Sequence, residues 1–148
     1  MAESIVVHFS SASWKDLDLA LFEIAKPGEG RQGKSWLYPP GPDNDVVVYE
    51  YDDILNEYES VHLGRLVERL GGQPSASLCI ELRRSKGQAA VDSAADLAAL
   101  LLRKFPGVVD DLDAIPELWT LTEIDQHVQK EGKGFLNCYR KEKAGGSF

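Results

Sequence analysis

The chain has 148 residues, 43% of them apolar and 27% charged; that length suits one domain, and the balance excludes an intrinsically disordered chain. No apolar run approaches the roughly 18 residues of a membrane-spanning helix, and the two cysteines, Cys79 and Cys138, form no disulfide framework. The net charge of −8 argues against nucleic acid as a ligand, because acidic surfaces repel phosphates.

Residues 4–9 (SIVVHF) are β-branched and apolar and predict a buried strand. Ser13, followed three residues later by Asp16, imitates a capping box, and Leu17, Ala20, Leu21 and Ile24 recur at helical spacing until Lys26-Pro27-Gly28. Residues 27–44 hold four prolines and four glycines and predict a long loop. A second strand is expected at residues 46–51, and Leu63, Leu66, Val67 and Leu70 mark an amphipathic helix closed by Gly71-Gly72. Leu78, Ile80 and Leu82 alternate with Cys79, Glu81 and Arg83, the period-two pattern of a strand with one buried face. Ser93 and Asp96 repeat the earlier helix start before Leu97, Leu100, Leu101 and Phe105, and Pro106-Gly107 ends that helix. Val108-Val109 predicts a short strand, and Thr120 with Glu123 opens a last helix through Ile124 and Val128.

Strand, capped helix and Pro-Gly stop thus occur twice, over residues 4–28 and 77–107. Two such β-α-β units make a ferredoxin-like α+β fold: a mostly antiparallel sheet with helices packed on one face, plus an inserted helix at 60–70. Residues 1–139 are expected to form this single α/β domain, with 140–148 a mobile polar tail. The start Met1-Ala2-Glu3-Ser4 carries an acid where a secretory signal carries bases, so the cytoplasm is the expected compartment.

One motif resembles chemistry. Residues 28–35 (GEGRQGKS) match the phosphate-loop pattern GxxxxGK[ST] letter for letter. Such a loop needs a strand before it and a helix starting at its Lys-Ser, so that helix amides face the phosphates. Here a helix precedes it, and Pro39, Pro40 and Pro42 follow too closely for another. Nucleotide binding through Gly33, Lys34 and Ser35 is therefore the alternative reading and not the favoured one. His8, His62 and His127 fall on three separate elements without metal-ligand spacing, so packed or surface roles are expected and no metal or cofactor is called for. Asp52-Asp53 and Asp110-Asp111 could act as paired carboxylates, but turns at strand ends favour Asp without any chemistry. No nucleophile motif is present, which leans away from an enzyme.

Charge is segregated. Residues 43–59 contain seven acids and residues 107–125 six, with no Lys or Arg in either stretch. Plain solubility accounts for such stretches, and so does a basic protein partner. Four landmarks add a resemblance: Tyr51-Asp52-Asp53 before Glu57-Tyr58-Glu59; Leu70-Gly71-Gly72-Gln73-Pro74; Phe105 through Asp111; and Trp119 through Ile124. Over residues 45–125 the chain resembles the small acidic immunity-type proteins of bacterial polymorphic toxin systems. That resemblance implies neutralisation of a secreted toxin by occlusion, without catalysis. The contact set would be Tyr49, Glu50, Tyr51, Asp52, Asp53, Glu57, Tyr58, Glu59, Asp110 and Asp111, with tyrosines as anchors and acids steering a basic partner. The partner expected is a cognate toxin; a homodimer and a regulatory domain with an unrelated partner are the other options.

Overall fold

The computed structural model describes residues 4–28, 35–51, 53–113, 116–130 and 132–136. In chain order these form β1 (Ser4–Phe9), α1 (Trp14–Ile24), β2 (Lys26–Pro27), β3 (Ser35–Tyr38), β4 (Val46–Glu50), α2 (Ile54–Glu57), α3 (Ser60–Leu70), β5 (Ala76–Leu82), α4 (Gln88–Lys104), β6 (Gly107–Asp110), β7 (Leu118–Trp119) and α5 (Leu121–Asp125). A two-stranded ribbon, β8 (Gln129–Lys130) with β9 (Lys133–Gly134), follows.

Seven strands make one antiparallel sheet in the order β2-β3-β4-β5-β1-β6-β7. Its middle, β4-β5-β1-β6 with α1 and α4 as the two crossovers, is the expected ferredoxin-like arrangement. The expected caps form at both ends of the chain. Ser13 and Asp16 close a reciprocal capping box on α1, and Thr120 and Glu123 close another on α5. Gly71 ends α3 at φ 79°, a conformation that costs glycine little.

Three elements depart from the expectation. The loop over 27–44 contains β2 and β3, because Trp36 and Tyr38 bury their rings against the core from the same side as Val46 and Val48. Helix α4 starts at Gln88, not at Ser93: Gly87 at φ 51° breaks the chain and the Ala-rich stretch beyond it needs no cap. Ser93, inside the helix, instead donates to Asp45 at 2.6 Å. The helices also divide between the faces. Ile5, Val7, Phe9, Leu78, Ile80 and Val109 meet α1 and α4 on the inner face, where Leu17, Leu21, Leu97 and Leu101 are wholly buried. Each such side chain contributes roughly 1.5–3 kcal/mol by leaving water. The inserted α3 lies on the outer face, where Leu66 packs on Val108 and Leu118. Both faces of β5 are consequently covered, and Cys79 is a buried free thiol, as expected of a cysteine in an apolar strand. The tail at 140–148 lies outside the described residues.

Candidate functional site

Period-two geometry decides what the outer face carries. His8 stands opposite Ser77 on β5 and Val108 on β6, and Asp110 stands opposite Val6, two residues from His8 on the same face. A histidine and an aspartate in otherwise apolar strands are thereby placed side by side, each 0% exposed. Tyr58, at the end of α2, and His62, in the first turn of α3, lie over them.

The result is a continuous polar network. Nδ1 of His8 is 2.7 Å from the Ser77 hydroxyl, and its Nε2 is 2.8 Å from the Tyr58 hydroxyl. The Asp110 carboxylate lies close enough to the Tyr58 hydroxyl to act on it electrostatically. Nε2 of His62 lies 2.7 Å from Oδ2 of Asp110, and the Leu112 amide donates to Oδ1 at 2.9 Å. The Tyr58 ring meets both imidazoles edge-on, with centroids 5.7 Å and 4.8 Å away.

A neutral His8 ring donates through one nitrogen and accepts through the other, so one of the Ser77 and Tyr58 hydroxyls donates to it and the other accepts from it. Burial pushes the His8 pKa down to about 4, opposed by the Asp110 charge and reinforced by His62. Burial, and then Asp110, raises the Tyr58 hydroxyl far above the usual tyrosine range. Nδ1 of His62 is buried with no hydrogen-bond partner among the described residues. Ser77 is buried, with its hydroxyl on His8.

Asp111 is also internal, 3% exposed. Its Oδ2 accepts from Trp119 Nε1 at 3.0 Å, and its Oδ1 takes the amides of Asp113 and Glu117, both at 3.1 Å. It ties the turn between β6 and β7. Asp110 and Asp111 therefore leave the expected contact surface: their carboxylates satisfy donors inside the fold.

The remaining contact residues fall at the opposite end of β4 from Val46. Tyr49 and Tyr51 share the outer face and stack with ring centroids 6.2 Å apart. The Tyr51 hydroxyl donates to Glu57, a bond that pushes the tyrosine up to about 12. Glu50, Asp53, Glu57 and Glu59 are exposed. Tyr58 faces inward, and Asp52 lies outside the described residues. The second acidic stretch is neutralised at home. Glu117 pairs with Arg65 and Lys130, Glu123 with Arg69 and Lys130, and Asp125 with Arg103. The two stretches do meet in the interior, where Tyr58 lies near Asp110.

In the phosphate-loop motif, Gly33 and Lys34 lie outside the described residues. Ser35 opens strand β3 and is 4% exposed, so the helix N-terminus that would face a phosphate is not there. Clefts of about 380 Å³, lined by Ala95, Leu100, Arg103 and His127 among others, and about 690 Å³, lined by Ser4, Glu81 and Arg83–Ser85, lie away from the network. Among the described residues no three His, Cys, Asp or Glu side chains group to hold a metal. No helix among them is long and apolar enough to cross a membrane.

Sequence reading missed the His8–Tyr58–Asp110–His62 cluster because its members come from four elements. The available signal was local: one histidine in SIVVHF and one aspartate directly after Val108-Val109, both polar groups that a buried strand tolerates only with partners. No family model, curated protein or solved structure matches the chain.

Proposed function

We propose that this protein is a binding module: an immunity protein that neutralises a secreted bacterial toxin in the cytoplasm by covering a basic site on it. The contact surface is the edge running from Tyr49 to Glu59. The observation that carries this reading is a contrast between the two acidic stretches. The acids of 107–125 discussed above are buried or matched by Arg and Lys, whereas in the first stretch Asp43 pairs with Lys86 but Asp53, Glu57 and Glu59 are exposed. Beside them the stacked Tyr49 and Tyr51 offer rigid aromatic area of the kind that anchors interfaces. The resemblance of residues 45–125 to acidic immunity-type proteins points the same way.

Glu57 has a second task in this reading. Holding the Tyr51 hydroxyl orients the ring before contact, which lowers the ordering cost of association. The test is binding of the purified protein to the toxin domain encoded beside its gene. Association that weakens with salt, without turnover of any substrate, supports the proposal. A neighbouring gene that encodes no toxin, or a toxin domain that does not bind, contradicts it.

A further inference from the structure

We propose that the Ser77–His8–Tyr58–Asp110–His62 network is an acid-operated latch that holds the α2–α3 segment on the outer face of the sheet. Besides the ion pairs Arg65–Glu117 and Arg69–Glu123, the segment is tied down at two buried polar points, Tyr58 on His8 and His62 on Asp110. The apolar packing beneath α3 is small, with Leu66, Val108 and Leu118 as its buried members, while the inner face holds the main core.

Protonation of His8 disrupts the network, because an imidazolium there is a cation held between the Ser77 and Tyr58 hydroxyls where nothing is exposed. The groups facing His8 are Ser77 and Cys79 from β5, Asp110 from β6, and Tyr58 and His62 from the outer segment, with Tyr51 near Tyr58 and the Arg65–Glu117 pair a turn further along α3. Asp110 is the one anion among these contacts, and His62 already holds it at 2.7 Å. Protonation is relieved when α2–α3 lifts and water reaches both imidazoles. Lifting would also dismantle the Tyr51–Glu57 edge, so acid would release a bound partner; this last step rests on the function proposed above.

Amide exchange of the isolated protein, followed by NMR and corrected for intrinsic rates, tests the latch. At about pH 4.5, amides of α3 should be at least about tenfold less protected than those of β1 and β5, and should themselves have lost about tenfold or more since about pH 7. The double variant His8→Gln with His62→Gln, which keeps donors toward Tyr58 and Asp110 but cannot gain a proton, should lose most of that response. Equal protection of α3 and the core at about pH 4.5, no loss in α3, or a full response in the double variant overturns the latch. If the double variant does not fold, the wild-type comparison of α3 with the core decides. The readout needs no partner: failure of the latch leaves the contact surface standing, and absence of a toxin partner leaves the latch standing.

Discussion

The Tyr58 hydroxyl lies 2.8 Å from Nε2 of His8, a residue fifty positions earlier in the chain. That bond joins the first strand of the sheet to the segment carrying the proposed contact surface. Removing the hydroxyl leaves a buried imidazole nitrogen without its hydrogen-bond partner. Tyr58→Phe is therefore expected to cost about 1–3 kcal/mol in urea unfolding. An unchanged midpoint would show that the network contributes nothing to stability.

Stability should fall with acid through His8. The unfolded histidine titrates near its ordinary value of 6.5, while the folded one stays neutral down to about 4. Between those values the unfolded chain binds the extra proton, so stability is complete above about 6.5 and is lost as pH falls toward 4. The full loss is on the order of 3 kcal/mol, from about 1.4 kcal/mol for each unit of difference. Urea midpoints at several pH values check the slope, which His8→Gln should flatten. An equal slope in that variant would assign the loss to other groups.

Asp111→Ala should destabilise the protein by about 2–4 kcal/mol, since it strands the Trp119 indole N–H and two backbone amides at once. Asp53→Ala, on the exposed edge, should change stability by less than about 0.5 kcal/mol. Thermal unfolding of the two variants separates the internal acid from the surface one; equal shifts would contradict the assignment.

Gly107 has a steric role. A Cβ built there would sit 2.2 Å from the His8 carbonyl oxygen, so β6 cannot approach β1 with any side chain at that position. Gly107→Ala is expected to push the strands apart and cost about 2–3 kcal/mol, read from its unfolding midpoint. A wild-type midpoint would mean that the strand pair has slack.

How much of this was legible in the sequence follows from the range of each cause. Ser13–Asp16 and Thr120–Glu123 are caps made within four residues, and the sequence declares them. The strand period around Leu78 and the helical spacing of Leu17–Ile24 and Leu97–Phe105 gave the two crossover units and hence the ferredoxin-like order. Strand β3 was hidden because Ser35–Tyr38 is a four-residue run between prolines and glycines, and only the pairing with β4 makes it a strand. The acidic stretches misled for a related reason. Charge counted along the chain says nothing of Arg65, Arg69 and Arg103 reaching across from other helices, or of Asp110 and Asp111 turning inward. Tyr49, Tyr51 and Glu57 were singled out as contacts, but their mutual arrangement depends on α2 folding back beside the end of β4.

The most direct test of the binding surface is the association rate between this protein and the toxin domain encoded beside it, for the wild type and for the triple variant Asp53→Lys, Glu57→Lys, Glu59→Lys. Circular dichroism should show the variant folded, because those carboxylates are exposed. The expected result is a wild-type rate that falls steeply with salt and a variant rate slower by about tenfold or more at low salt. Equal rates for the two proteins would contradict an acidic edge that recruits a basic partner.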